Sequence, residues 1–486
     1  MLETKYHNIC YISINKYFFM KIQIENFGPI HSFEFDLEED FHIIYGKNNI
    51  GKSYAISVVY LLLKNIIKRR NEFLNLFRFL IEDNSRLLFI NTITNSIKEK
   101  QKSSDNASFS IKEDVQNYVK TIIEKTLIQS VQKSLENSFS DFKNIQNKYS
   151  KEDLRITLIF KNCTISIKLN KENNLFISNI KVKSKLNINF SKSNKRSSIK
   201  EEESNFYVSP NANDKKIHEL LQQVDSWILT FILDSYDEVL KTCNNVFLLP
   251  ASRSGLYEAM NIFSSVFAKL SQFRHLISDT IEIPALSEPI SDYFLNLSTI
   301  KEGNSNDKYS NFAIEIEEKI LNAQIRFNQD SKKLEYFNKK ANFKLDLSDT
   351  SSMISEIAPI VAYLKYIVNE KEGTNPSKIL FIEEPEAHLH PEIQVELMNI
   401  FAKLTQNKVK IVLTTHSNYF FNKVNNLIIS GQVEIEKVSN YHLINTNKGS
   451  IINKNVELTE AGIIDSNFVE IAEQLYKERL ASIETF

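Results

Sequence analysis

Alternation of apolar and polar residues near the start of the chain predicts two neighbouring strands. Residues 21–26 and 31–37 each alternate with a period of two on either side of the turn at 27–30. Residues 41–45 then form a short apolar run typical of a buried strand, and residues 53–63 form a longer run typical of a buried helix. The first described pattern is therefore three strands followed by a helix.

The C-terminal part of the chain has the pattern of a parallel sheet covered by helices. Residues 378–382, 408–413 and 426–429 are apolar runs that predict strands. Residues 392–404 fit a helix between the first two of them. Together with the opening segment, this rhythm predicts an α/β fold whose sheet is assembled from both ends of the chain.

Changes in sequence character predict the domain organisation. Residues 65–244 contain stretches rich in Lys, Asn, Ser and Glu between amphipathic pieces, which indicates a mainly helical insertion with a small β element. This insertion separates an N-terminal lobe, 20–64, from a C-terminal lobe, 245–486, which has a helical subdomain at 257–327. Residues 1–19 fit an added leader or an extra edge strand equally well.

Composition excludes several classes of protein. The 486 residues are 42% hydrophobic and 24% charged, values that exclude a wholly disordered chain. The net charge of −1 gives no overall attraction to DNA or to a membrane. The 3 cysteines are widely spaced and predict reduced thiols without a disulfide framework or zinc site. Because no apolar run is long enough to span a bilayer, we expect a cytoplasmic protein with no membrane partner.

A phosphate-binding loop lies between the third predicted strand and the first predicted helix. The segment G-K-N-N-I-G-K-S at 46–53 satisfies G-x-x-x-x-G-K-[ST], in which backbone N–H groups surround phosphates, the lysine contacts the β- and γ-phosphates, and the hydroxyl binds Mg²⁺. The helix that follows points its N-terminus at the anion. The predicted nucleotide-binding residues here are Gly46, Asn48, Asn49, Ile50, Gly51, Lys52, Ser53 and Tyr54.

Two carboxylates follow the apolar run 379–382. Glu383 ends a buried strand, where a carboxylate is costly unless it meets a cation, and it can hold Mg²⁺ together with Ser53. Glu384 can then orient the attacking water or accept its proton. Taken alone, the pair also fits a solvated acidic turn before Pro385. Combined with the phosphate loop, it predicts ATP and Mg²⁺ as the cofactors.

Three histidines follow these carboxylates along the chain. His416 ends the apolar run 411–415, at the edge where strand ends carry ligand chemistry, and its imidazole can donate to the γ-phosphate. A structural histidine is the alternative. His388 and His390 have the spacing of a metal pair, but the acidic motif around them explains them better. We assign them no metal.

These segments together resemble the ABC-type ATPases of the OLD-like group, which belong to the wider SMC-related class. The resemblance rests on the phosphate loop, on E-E-P-E-A-H-L-H-P at 383–391 and on L-T-T-H-S at 413–417. It implies an ABC-type P-loop ATPase head of mixed sheet and helices, interrupted by the insertion, that binds ATP between two protomers. It also implies that Glu384 is the catalytic carboxylate, Glu383 the Mg²⁺ acid and His416 the switch histidine.

The resemblance further implies a signature segment that acts across the dimer. Ser351 and Ser352 precede a predicted helix and match it best, since a helix N-terminus with a serine hydroxyl can bind the opposing γ-phosphate. Met353 departs from the family pattern, which has glycine there. Arg253 lies in a P-A-S-R-S-G stretch similar to one in this group and can meet phosphate or a partner carboxylate. An exposed loop arginine is the alternative.

The resemblance also shapes the expected biological role. Only 70 residues follow His416, too few for the Toprim nuclease domain that OLD-like ATPases often carry. We therefore expect an ATPase that forms a homodimer or a multiple of dimers and acts as the sensor and regulatory subunit of a prokaryotic anti-phage complex, as in the Septu and PARIS systems. A separate nuclease or toxin would be its effector. A DNA-repair or DNA-processing ATPase that clamps nucleic acid and a non-hydrolysing, ATP-dependent scaffold stay open as alternatives.

Overall fold

A mixed sheet of eleven strands lies at the centre of the computed structural model. The structure describes residues 20–81, 84–103, 108–139, 142–192, 197–200, 202–272, 286–301, 308–368, 377–459, 462–464 and 469–484. Its strands are β1 (Lys21–Phe27), β2 (Ile30–Asp36), β3 (Phe41–Gly46), β4 (Phe109–Ser110), β5 (Arg155–Ile159), β6 (Cys163–Leu169), β7 (Leu175–Val182), β8 (Lys185–Phe190), β9 (Ser198–Ile199), β10 (Glu203–Val208), β11 (Cys243–Leu249), β12 (Gln324–Asn328), β13 (Lys333–Asn338), β14 (Phe343–Asp346), β15 (Ser377–Glu383), β16 (Val409–Thr415), β17 (Val438–Thr446), β18 (Gly449–Ile452), β19 (Glu457–Thr459) and β20 (Gly462–Ile464). Its α-helices are α1 (Lys52–Ile81), α2 (Asn84–Lys102), α3 (Lys112–Ile123), α4 (Gln129–Phe139), α5 (Phe142–Ile145), α6 (Asp214–Thr242), α7 (Arg253–Gln272), α8 (Glu288–Ser298), α9 (Lys308–Ile316), α10 (Ser352–Ala362), α11 (Pro391–Gln406), α12 (Asn418–Ile429) and α13 (Val469–Glu484).

The large sheet has a parallel half and a mainly antiparallel half. Its order is β11-β15-β16-β3-β17-β18-β2-β1-β5-β6-β7. The five neighbouring strands β11, β15, β16, β3 and β17 run parallel to one another, and β18 runs parallel to β2. The remaining neighbours are antiparallel. The mixed α/β fold expected from the sequence is confirmed.

Both faces of the parallel half are buried. On β15, Ile379 and Phe381 belong to one hydrophobic core, whereas Leu380 and Ile382 belong to the other. Helices α1 and α6 supply apolar residues to the first core, and α10 and α11 supply them to the second. Burial on both faces explains why these strands read as continuous apolar runs instead of alternating ones.

The carboxyl ends of the parallel strands share one edge of the sheet. Glu383 at the end of β15 pairs in register with Thr414 on β16, and Thr415 pairs with Tyr45 on β3. On the other side of β15, Leu249 of β11 pairs with Ile382. The loops that leave β3, β11, β15 and β16 are therefore brought together, as expected for ligand-binding loops of an α/β sheet.

Residues 65–244 contribute strands as well as helices. Strands β5, β6 and β7 extend the large sheet, because β5 pairs with β1 and Leu158 lies opposite Ile22. Strands β4, β8, β10 and β9 form a separate four-stranded sheet. Later in the chain, outside this segment, β12, β13 and β14 form a three-stranded sheet. The boundaries drawn for the lobes, the insertion and the helical subdomain stay a prediction.

One predicted strand is wrong. Residues 426–429 form the last turn of α12, which begins after Ser417. The buried positions Phe420, Val424 and Leu427 are spaced by four and three residues, which is helical periodicity, and the short apolar run only continues that face. Residues 1–19, predicted as a leader or an edge strand, lie outside the described residues.

Candidate functional site

The phosphate loop follows β3 and leads directly into α1. Gly46 and Gly51 have positive φ angles of 134° and 95°, and Asn49 has a φ of 62°. A Cβ on Gly46 would overlap the main-chain oxygen of Leu443, and one on Gly51 would lie 2.8 Å from the ring of Pro29. These glycines let the backbone turn sharply at a crowded position, so the loop can present its N–H groups to one side.

Lys52 is folded over this loop. Its side chain is 6% exposed, and Nζ donates to the carbonyl oxygens of Lys47 (2.8 Å) and Gly46 (3.1 Å). Burial lowers the pKa of Lys52 to about 8, against the attraction of Glu384 and Glu386, which raises it. The ammonium group therefore lies in a desolvated position where a phosphate would find a strong partner.

Glu383 and Ser53 meet at the end of β15. The Glu383 carboxylate accepts a hydrogen bond from the Ala251 amide at 3.2 Å and another from the Ser53 hydroxyl. Desolvation raises the pKa of Glu383 above its usual value, and these hydrogen bonds oppose that rise. A carboxylate and a hydroxyl are hard oxygen ligands that suit Mg²⁺. The two residues predicted to hold the metal are therefore adjacent.

Glu384 and His416 face each other across the same edge. Glu384 Oε1 lies 3.8 Å from His416 Nε2, and both side chains are partly exposed. Burial lowers the pKa of His416 below 6.5, and the positive charge of Lys52 lowers it further. The lowered pKa favours the neutral imidazole, which has one ring N–H to donate.

Two residues that the sequence did not single out hold the site in shape. Glu386 Oε1 accepts hydrogen bonds from the Thr415 hydroxyl (2.8 Å) and the His416 amide (2.6 Å), so it fixes the segment that carries the histidine. Ser450 donates from its hydroxyl to the Ile50 carbonyl at 2.6 Å and so fixes the phosphate loop. The E-P-E spacing was a usable signal for Glu386, whereas Ser450 had none.

A pocket of about 810 Å³ opens between these groups. It is lined by Pro29, Asn48, Asn49, Ile50, Gly51, Lys52, Ser53, Tyr54, Glu384 and His416. The phosphate loop and the two catalytic candidates thus converge on one space, although they come from opposite ends of the chain. Tyr54 is anchored at its rim by Phe139, with ring centroids 5.1 Å apart.

Comparison with known proteins places the chain in a family. A family model described as an AAA ATPase domain matches residues 20–421. The chain belongs to this family. The comparison with curated proteins gave no match.

This AAA ATPase domain also matches solved SMC heads at low identity. The SMC head domain from Thermotoga maritima is 8% identical, with 90% of this chain and 98% of that chain covered and a TM-score of 0.34. An Smc head bound to the C-winged helix domain of ScpA is 9% identical (90% and 97% covered, TM-score 0.36). An Smc head with an extended coiled coil, bound to the C-terminal domain of ScpA derived from Pyrococcus furiosus, is 9% identical (95% and 99% covered, TM-score 0.36).

The remaining predicted residues of this AAA ATPase domain lie away from the pocket lining. Ser351 and Ser352 are exposed at the N-terminus of α10, where Ser351 is the N-cap residue. Arg253 is fully buried, and its guanidinium contacts main-chain carbonyls and Glu356. The geometry gives no support to the predicted contact between Arg253 and phosphate. Within the described ranges, no cluster of three metal-ligating side chains occurs, and His390 caps α11.

The residues present fit a nucleotide and Mg²⁺. The loop could not keep its path with a Cβ on Gly46 or Gly51, the ammonium of Lys52 is aimed at its carbonyls, and the Ser53–Glu383 pair offers oxygen ligands. An ATPase-type, nucleotide-binding protein follows from the family. Among the residues that the structure describes, no helix has the length and apolar character to cross a bilayer.

Proposed function

We propose that this chain hydrolyses ATP as an ABC-type ATPase. The observation that carries the proposal is the convergence of the phosphate loop, including Ser53, and the Glu384–His416 pair on one pocket, with Glu383 next to Ser53. Phosphoryl transfer asks the protein mainly to position the reactants and to neutralise charge. Each of these groups fits one of those tasks.

The individual roles follow from the chemistry of the side chains. The loop amides and Lys52 bind the phosphates, and Ser53 with Glu383 would hold Mg²⁺, which neutralises charge on the phosphates when bound. Glu384 orients the attacking water and accepts its proton. Neutral His416 donates a hydrogen bond toward the γ-phosphate and, 3.8 Å from Glu384, helps to fix that carboxylate.

The same proposal includes a dimer that closes on ATP. The pocket is open on one side, and the exposed serines Ser351 and Ser352 stand at a helix N-terminus without lining the pocket of their own chain. A helix N-terminus is an anion-binding element. In a two-fold dimer each copy would offer this element to the pocket of the other copy, so that ATP bridges the two protomers.

Two substitutions test the catalytic assignment. Lys52→Ala removes the cation that binds phosphate, and we expect loss of ATP binding. Glu384→Gln keeps the size of the side chain and removes the base, so ATP binding should persist while steady-state hydrolysis falls by about 100-fold or more. The variant should accumulate an ATP-dependent dimer, measured by size-exclusion chromatography with light scattering. Wild-type turnover by Glu384→Gln would refute the assignment and would favour a non-hydrolysing scaffold.

For the biological role, we propose a sensor and regulatory subunit of a prokaryotic anti-phage complex, acting in the cytoplasm on a separate nuclease or toxin. The support is the E-E-P-E-A-H-L-H-P string at 383–391 and its likeness to the OLD-like group. Native purification of wild type and Glu384→Gln, followed by mass spectrometry, should yield one effector whose recovery depends on ATP. DNA binding that weakens steeply with salt, from counterion release, would favour the nucleic-acid clamp.

A further inference from the structure

Arg253 is a fully buried arginine at the first position of α7. Its Nη1 donates to the carbonyls of Glu383 (2.7 Å) and Pro250 (3.1 Å), its Nη2 donates to that of Glu384 (3.3 Å), and its Nε donates to that of Glu356 (3.1 Å). An ion pair joins Nη2 to Glu356 Oε2 at 3.2 Å. A guanidinium has five N–H donors, and these contacts direct them to protein atoms, not to the pocket.

The backbone that Arg253 holds has an unusual conformation. Glu384 has a φ of 43°, in the left-handed region that residues other than glycine rarely adopt. Its amide donates to the carbonyl (3.1 Å) and hydroxyl (3.2 Å) of Thr414, while Arg253 donates to the carbonyls of Glu383 and Glu384, which belong to the peptide bonds before and after this residue. Such conformations persist where the surroundings over-determine them, often at functional sites.

This conformation matters for the direction of the Glu384 side chain. Strand β15 ends at Glu383, and the left-handed residue that follows breaks the extended path. The Glu384 carboxylate then lies 3.8 Å from His416 instead of following the strand face of Ile382. A relaxed backbone at Glu384 would therefore move the carboxylate away from its place beside the pocket.

The hydrogen bonds of Arg253 to the carbonyls of Pro250, Glu383 and Glu384 are called the clamp below. Glu356 connects the clamp to α10. Its carboxylate is 1% exposed, and Oε1 accepts hydrogen bonds from the Ser254 amide (3.2 Å) and hydroxyl (2.7 Å). Glu356 lies one helical turn after Ser352, the exposed first residue of α10. The N-terminal turn of α10, the start of α7 and the end of β15 are thus joined through one buried ion pair.

We propose that Arg253 is a positioning residue for hydrolysis. It holds Glu384 in its left-handed conformation, and through Glu356 it ties that conformation to the position of α10. The inference rests on the proposed ATPase function and deepens it: contact of α10 with the nucleotide of a second protomer would be transmitted to Glu384 of its own chain.

Turnover measurements test the clamp through a double-mutant cycle. Arg253→Lys keeps the charge but loses the planar fork that reaches several carbonyls, and Glu356→Gln removes the ion pair at nearly constant volume. Each should lower kcat roughly 10- to 100-fold, as small misplacements of catalytic groups do, with the ATP Kd within about threefold of wild type. In the Glu384→Gln background the same substitutions should change the residual single-turnover rate less than about twofold, because the positioned base is already absent.

Glu317→Gln is the matched control. Glu317 is another buried carboxylate, 3% exposed and 2.8 Å from Lys365, but it does not contact the end of β15. Glu317→Gln should lower the melting temperature without changing kcat per folded molecule. The positioning role is refuted if Arg253→Lys and Glu356→Gln leave kcat unchanged, as this control should. It is also refuted if each lowers the rate of hydrolysis by the same factor in the wild-type and the Glu384→Gln protein.

Hydrogen exchange without nucleotide gives a readout that does not depend on catalysis. Arg253→Lys and Glu356→Gln should speed exchange of the Glu384 amide, measured on peptides covering 381–390, by about tenfold or more as its opening becomes easier, and Glu317→Gln should not. Unchanged exchange in both variants would overturn the clamp. Faster exchange combined with wild-type turnover by Glu384→Gln would instead keep the clamp and refute the proposed hydrolytic role of Glu384.

Discussion

Raising the pH should weaken ATP binding because of the position of Lys52. In the free protein, burial lowers the pKa of this lysine to about 8. Bound phosphates would stabilise the ammonium form and raise its pKa, so binding takes up a proton wherever the free lysine is neutral. The sign follows directly: full affinity is present below the pKa of the free lysine and is lost as the pH rises through it.

The size of the effect follows from the fraction of protonated lysine. With a free pKa of about 8, that fraction is about 0.9 at pH 7 and about 0.1 at pH 9, so the apparent Kd should rise about tenfold between these two values. Proton uptake per ATP bound should be about 0.1 at pH 7, about 0.5 at pH 8 and about 0.9 at pH 9.

Calorimetric titration in buffers of different ionisation enthalpy measures both quantities. A Glu384→Gln background prevents turnover during the titration, and circular dichroism at each pH checks that the protein stays folded. Lys52→Ala is the control, since it should give neither binding heat nor proton uptake at any pH between 7 and 9. A Kd of Glu384→Gln that changes less than about twofold over this range, with no proton uptake, would refute the reasoning.

Further predictions concern the dimer, the loop and the support of His416. Ser352→Asp places a negative charge against the phosphate of the opposing protomer, so Ser352→Asp and Lys52→Ala should each be inactive alone. In an equal mixture about half of the dimers are mixed and each has one intact site of two, so up to roughly a quarter of wild-type turnover should return. A mixture that stays inactive contradicts the shared site. Gly51→Ala puts a residue with a Cβ at a positive φ and places that Cβ against Pro29. It should lower the free energy of unfolding by about 1–3 kcal/mol, measured by thermal unfolding, and abolish ATP binding. Gly255→Ala, whose Cβ meets no atom within 4 Å, should do neither. Glu386→Ala should lower kcat about tenfold at unchanged ATP affinity, and a normal kcat would show that the His416 segment does not need this support.

The sequence located the pocket because its chemistry lies at strand ends. A phosphate loop is a local motif whose strand and helix can be read on either side of it. Glu383 and His416 were chosen as candidates for a related reason: each comes at the end of a buried apolar run, and parallel strands end at the same edge of a sheet. Their register confirms this, since Glu383 lies opposite Thr414 and Thr415 lies opposite Tyr45.

The sequence could not predict which distant strands pair or which secondary structure a short apolar run adopts. Alternation shows which face a strand buries but not its neighbour, so the pairing of Ile22 with Leu158 gave no signal. The run 426–429 is too short to show a period, and only the preceding turns of α12 decide that it is helical. The buried position of Arg253 was not predicted for a third reason. The groups that its guanidinium contacts, in Glu356 and Glu384, are more than 100 residues away in sequence.

The buried pair of Arg253 and Glu356 cannot be understood from stability alone. Burying an ion pair is costly, and well-packed apolar residues of similar volume often serve a fold as well or better. What apolar residues could not do is donate hydrogen bonds to the carbonyls of Pro250, Glu383 and Glu384, which lie where β11 and β15 end. Unpaired buried carbonyls are themselves costly, and a planar fork of N–H groups can reach all three. The same contacts hold the left-handed Glu384, so the arginine both satisfies the ends of the sheet and sets the direction of the carboxylate that we propose to be catalytic. Only a measurement that separates turnover from folding, such as the cycle with Glu384→Gln, can tell the second effect from the first.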